Sequence, residues 1–129
     1  MKLLVDTQCW LWLSTAPERF SAERRRQIDR SDTELLLSAA SAWEMAIKFA
    51  LGKLPLPERP EAYVPSRMRL TRTTSLPVTE AHALQVAELP RHHRDPFDRL
   101  IVAQAQLERL PILTADPLFA PYDVETLEP

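Results

Sequence analysis

Four carboxylates stand at places in the chain where acidic side chains do chemistry. Asp6 follows the apolar run LLV, Glu44 lies within SAWEMAIKFAL, Asp98 within RHHRDPFDRLIVAQAQL, and Asp116 follows PILTA. Carboxylate oxygens are hard ligands, and a set of them drawn from separate elements suits Mg²⁺ or Mn²⁺. Such an ion lowers the pKa of a bound water, polarises a phosphoryl oxygen and, when paired, clamps attacking and leaving oxygens. Phosphodiester hydrolysis is the reaction this donor set serves best.

Each acid also has a simpler local account. Asp95-Pro96-Phe97-Asp98 reads as an N-cap aspartate, a proline at the first helical position and an acid favoured by the helix dipole. Ser41-Ala42-Trp43-Glu44 matches the S-x-x-E capping box, Asp116-Pro117 matches an N-cap with proline at N1, and Asp6 is placed to cap a helix beginning at Thr7. Capping suffices for each acid taken singly. It does not account for four acids on one rim without intervening bases, which would repel one another unless a cation compensates.

Composition narrows the alternatives. The 129 residues, 45% of them hydrophobic, are expected to form one domain over 1–129 with its own core. The single cysteine, Cys9, allows no internal disulfide, and no CxxC or HExxH spacing offers a soft-ligand metal site. The apolar N-terminus MKLLVDTQCWLWL is interrupted by Asp6 and Gln8, so it reads neither as a signal peptide nor as a membrane span; a cytoplasmic protein with no membrane partner is expected. A net charge of −2 gives no global pull toward nucleic acid. One glycine, Gly52, against 12 prolines excludes a dinucleotide fingerprint, a Walker loop and a nucleophile elbow.

Positioning the acids requires a particular order of elements. Leu3-Leu4-Val5 and Leu35-Leu36-Leu37 are apolar without alternation, as strands buried on both faces are. Ser75 to Val78, Pro111 to Thr114 and Val124 to Leu127 are expected as further strands. Helices are expected around Trp10 to Leu13, over residues 22–30 with Ser21 as cap, through SAWEMAIKFAL to a stop at Gly52, from a Thr79 cap through Ala87, and over the segment opened by Asp95. EAYVPSRMRL reads at best as a helix broken near Pro65. Strands alternating with helices imply βαβ units, hence an α/β fold of three layers, helices on both faces of a mostly parallel sheet. The carboxyl ends of parallel strands lie along one edge, where ligands bind.

LLVDTQ, SAWEMAIKFALGKLPLP, LPRHHRDPFDRLIVAQA and LTADPLF, in this order, resemble the PIN-domain family, and within it the VapC-type toxins of type II toxin–antitoxin systems. The likeness covers nearly the whole chain. It implies a PIN-like fold and a Mg²⁺- or Mn²⁺-dependent endoribonuclease whose acidic quartet corresponds to Asp6, Glu44, Asp98 and Asp116. It further implies an RNA substrate, a cognate antitoxin protein and frequent homodimerisation. In the roles assigned on this basis, Asp6 and Asp98 hold the principal ion, while Asp116 and Glu44 complete its surroundings and orient the water. The competing readings are an RNA-processing PIN nuclease without antitoxin, a phosphoacceptor signalling domain and a non-catalytic scaffold; the signalling domain lacks its paired acids after the first strand and its late lysine.

Around the quartet, Thr7 and Thr114 are candidates to hydrogen-bond the ligands. Asp95 is read as the cap that aims Asp98, or as a member of the site. His92, His93, Arg94 and Arg99 form the dense basic cluster beside it, with Arg94 and Arg99 as candidate phosphate contacts and the two histidines read as a solvated loop. Trp43 is expected in the core. Trp10, Leu13 and Phe20 are candidates for an apolar groove facing a partner helix. His82 is given no role.

Overall fold

A computed structural model describes residues 1–129. Five strands, β1 (Lys2–Val5), β2 (Glu34–Ser38), β3 (Thr73–Leu76), β4 (Ile112–Leu113) and β5 (Thr126–Leu127), form one sheet in the order β3-β2-β1-β4-β5. Every pairing is parallel, with Leu3 opposite Leu35, Val5 opposite both Leu37 and Leu113, and Leu37 opposite Ser75. The sheet is thus entirely rather than mostly parallel. Helices α1 (Thr7–Thr15), α2 (Ala22–Ile28), α3 (Ala39–Ala50), α4 (Pro60–Thr71), α5 (Glu80–Gln85) and α6 (Pro96–Glu108) connect the strands, and none is long and apolar enough to cross a membrane.

The pleat divides the apolar runs between two cores. Leu3, Val5, Leu35, Leu37 and Leu113 pack on one face with Cys9, Trp10, Phe20, Met45, Tyr63 and Val64. Leu4, Leu36 and Ile112 pack on the other with Ile101, Val102, Ala103 and Ala105 of α6 and with Leu89, Phe119 and Tyr122. With both faces covered, neither strand can alternate apolar and polar residues, which is why LLV and LLL read as unbroken runs. Burying each such side chain stabilises the fold by roughly 1.5–3 kcal/mol.

Several boundaries differ from expectation. The third strand begins at Thr73 and stops at Leu76, because Pro77 has no N–H to continue the ladder. The fourth and fifth shorten to two residues each. Pro65 does not break α4: the carbonyl it leaves without a helical donor belongs to Glu61 in the exposed first turn, where water can serve it. The helix capped by Thr79 ends at Gln85 and tightens into a 3₁₀ turn, Val86–Glu88.

Trp43 is not a core residue. With Ala40, Ser41, Glu44 and Met45 facing inward, its step on α3 points outward; it is 59% exposed and meets the edge of Phe97 with ring centroids 5.1 Å apart. Trp10 and Phe20, offered as groove residues, are instead 1% and 3% exposed and belong to the core, and the Trp10 indole N–H donates to the Thr73 hydroxyl.

The strand order has one consequence for function. From β1 the chain moves outward through β2 to β3, then returns to the other side of β1 for β4 and β5. The crevice beyond the ends of β1 and β4 is the switch point of the sheet, where such folds bind ligands. Asp6 immediately follows β1, and Thr114 immediately follows β4.

Candidate metal centre

Asp6 is held from two directions. As N-cap of α1 it accepts the Cys9 amide N–H on Oδ1 at 2.7 Å, and its Oδ2 accepts the Thr114 hydroxyl across the switch point. The side chain is nearly enclosed, and burial raises its pKa against the opposing effect of these hydrogen bonds. The same burial, with Asp6 beside it, pushes the Cys9 thiol up, so Cys9 is an inert core residue.

Glu44 is also buried, at 5% exposure, and its oxygens are both occupied. Oε1 accepts the Thr7 hydroxyl at 2.7 Å, and Oε2 lies 2.5 Å from Lys48 Nζ, one helical turn further along α3. Glu44 raises the Lys48 pKa, most strongly through this bond, and Asp95 and Asp98 add to the effect. The S-x-x-E capping box expected here does not form. Ser38 caps α3 instead, while Ser41 sits inside the helix with its Oγ 2.8 Å from the Thr7 hydroxyl.

Asp98 lies in the first turn of α6, aimed by Asp95, whose Oδ1 accepts the N–H groups of Phe97 at 2.8 Å and Asp98 at 3.2 Å. Burial, then the charges of Asp95 and Glu44, push the Asp98 carboxyl up to about 7, with His93 acting in the opposite sense. Asp116 caps the 3₁₀ turn Pro117–Phe119 by accepting the Leu118 N–H at 2.9 Å, and its own N–H donates to Thr114 Oγ1 at 3.0 Å. Thr114 therefore joins Asp6 to Asp116.

All four acids, together with Asp95, Thr7, Lys48 and Lys53, line one cleft of about 530 Å³. Within it Asp98 and Asp116 share a corner with His93, one donor atom from each lying within 4.8 Å of the others. His93 Nε2 is 2.8 Å from Asp98 Oδ2 and 3.9 Å from Asp116 Oδ2, yet it is buried and out of line for a hydrogen bond to either. Its Nδ1 accepts the Asp95 N–H at 3.3 Å, which leaves the ring proton on Nε2, facing the carboxylates. A buried polar atom without a partner, beside two hard oxygen donors, marks a corner that fits a divalent cation held by the carboxylates, with the His93 ring packed beside it.

The basic cluster divides. His93 is part of the site rather than of a solvated loop, whereas His92 is exposed against the edge of Tyr122. Arg99 is not a free phosphate contact: its guanidinium donates to the Pro90 carbonyl at 2.8 Å, the Val86 carbonyl at 3.3 Å and the Tyr122 hydroxyl at 3.3 Å, tying down the segment that carries His93. Arg94 is exposed, one residue before the Asp95 cap. His82, given no role from sequence, is a buried capping residue: its Nδ1 accepts the Thr79 N–H, and Nε2 is 2.8 Å from Glu108.

Two site residues escaped the sequence reading. Lys48 was legible in principle, since a lysine four residues after a glutamate on a helix faces it. His93 was not, because nothing in a polar loop shows which side chain turns inward.

The chain belongs to the PIN domain family, whose model matches residues 3–125. Ribonuclease VapC16 of Mycobacterium tuberculosis is 52% identical to it over 60 residues, a segment that is 46% of this chain and 43% of that protein, so the match spans less than half the length of this relative. Among solved structures, VapBC2 from Rickettsia felis bound to a promoter DNA fragment superposes with a TM-score of 0.73 at 13% identity, covering 99% of this chain and 98% of that one. DNA-bound VapBC from Salmonella typhimurium gives 0.73 at 19% identity, with the same coverage. VapBC-1 from nontypeable Haemophilus influenzae gives 0.69 at 20%, again covering 99% and 98%. At these identities the likeness is one of fold.

Proposed function

We propose that this protein is a Mg²⁺- or Mn²⁺-dependent endoribonuclease, the toxin of a type II toxin–antitoxin pair, acting in the cytoplasm and working as a homodimer. The observation that carries the reading is the gathering of Asp6, Glu44, Asp98 and Asp116 on one cleft at the switch point of the sheet. The ribonuclease relative supports RNA as substrate, and the VapBC neighbours support an antitoxin as partner.

In this reading Asp98 and Asp116 hold the ion, with His93 beside them and Asp6 completing the set. A bound divalent cation supplies Lewis acidity to a phosphoryl oxygen and a lowered pKa to water. The chain's own residues do the rest. Thr114 fixes Asp6 against Asp116, and Thr7 fixes Glu44, so the carboxylates are ordered before substrate arrives. Arg94 meets the phosphate backbone at the rim.

The test is incubation of purified protein with total RNA, with Mg²⁺ or Mn²⁺ and with chelator, beside Asp98→Asn. Cleavage that requires the ion and disappears in the folded variant is expected. Cleavage untouched by chelation or by Asp98→Asn overturns the proposal.

A further inference from the structure

The four carboxylates are not equivalent. Asp98 and Asp116 share their corner with His93, whose buried nitrogen is unpartnered, whereas both oxygens of Glu44 are already taken by donors of the chain itself, Thr7 and Lys48. An ion at the Glu44 end would have to evict a lysine ammonium held 2.5 Å from Oε2, in a pocket where Glu44 is 5% exposed. Removing that ammonium without replacing it would leave a buried carboxylate charge uncompensated, which is strongly unfavourable.

Resting on the reading of the cleft as a cation site, we propose that the Lys48 ammonium is a built-in cation that occupies the Glu44 end of the cleft, so that each chain loads one divalent ion, at the Asp98–Asp116 corner, and not a pair. Lys48 acts through Glu44 and is a positioning residue. It holds Glu44 still, and it lines the same cleft as the remaining acids, so it balances their charge at a fixed place where a second ion would be exchangeable. A single-ion site activates and orients rather than clamping both attacking and leaving oxygens between two ions.

The experiment counts ions. Mn²⁺ is titrated into the metal-free full chain and followed by the electron paramagnetic resonance of free Mn²⁺, for wild type, Lys48→Arg, Lys48→Met and Asp98→Asn, with thermal melts recorded alongside. One ion per chain is expected for wild type and Lys48→Arg, a second for Lys48→Met, and at least a tenfold loss of affinity for Asp98→Asn. Two ions in wild type, or one in a folded Lys48→Met, overturns the proposal while leaving the cation site standing. No binding by wild type overturns the cation reading itself. Should Lys48→Met not fold, the wild-type count decides alone.

Discussion

His93 Nε2 lies 2.8 Å from Asp98 Oδ2 while its other ring nitrogen accepts the amide N–H of Asp95. One backbone group thereby sets which nitrogen faces the carboxylates. Replacing His93 with alanine is expected to weaken Mn²⁺ binding roughly 10–100-fold while the far-ultraviolet circular dichroism is unchanged. Calorimetric titration of Mn²⁺ checks this; undiminished affinity would remove His93 from the site.

Asp98 titrates near 7 in the fold against an ordinary carboxyl value of 3.8. Between those pH values the folded chain holds a proton that the unfolded chain has lost, so metal-free stability falls as pH rises through this window. Stability should then level off above about pH 7. Asp98→Asn is expected to flatten the slope, and saturating Mn²⁺ to restore stability at pH 8. Urea titrations at pH 5, 6, 7 and 8 measure both.

Cation and proton compete for the same carboxylate, so cation affinity should rise with pH up to about 7. Below that value each pH unit is expected to cost up to about tenfold in Mn²⁺ affinity. A pH-independent dissociation constant between pH 5.5 and 7.5 would contradict the placement of the ion at Asp98.

Arg99 holds backbone carbonyls, whereas Arg94 is free at the surface. Arg99→Ala should destabilise the fold by about 1–3 kcal/mol, because several part-buried acceptors lose one charged donor at once, and Arg99→Lys should not restore it, because an ammonium lacks the planar fork. Arg94→Ala should stay within about 0.5 kcal/mol of wild type and instead weaken RNA binding, with a shallower salt dependence. Denaturation midpoints and filter binding at several salt concentrations separate the two arginines.

Ile101 is fully buried where α6 meets the sheet, and Trp43 is exposed on α3. Ile101→Ala is expected to cost about 2–5 kcal/mol and Trp43→Ala about 1 kcal/mol, mainly the edge contact with Phe97. Chemical denaturation of both variants gives the comparison.

What was legible in the chain follows from which signals are local. LLV and LLL declared buried strands, and Asp6, Asp95 and Asp116 declared caps; each cap forms, and the positions of Asp6 after β1 and Asp116 after β4 put those two acids on one edge. The direction a side chain takes out of a loop is not local. His93 turned inward because Arg99 ties its segment to Pro90 and Tyr122, a contact between parts that sequence spacing does not relate. Trp43 misled for a similar reason: its size argued for burial, but Glu44 and Met45 had already claimed the inner face of α3. Pro65 misled because the consequence of a missing donor depends on whether the orphaned carbonyl meets water.

Thr114 and Asp6, joined by a hydroxyl, stand 108 positions apart along the polypeptide. During synthesis Asp6 therefore emerges long before the hydroxyl that will hold it. A fragment that stops short of β4 therefore has no assembled cleft, since it lacks both the clasp on Asp6 and the aspartate that follows it.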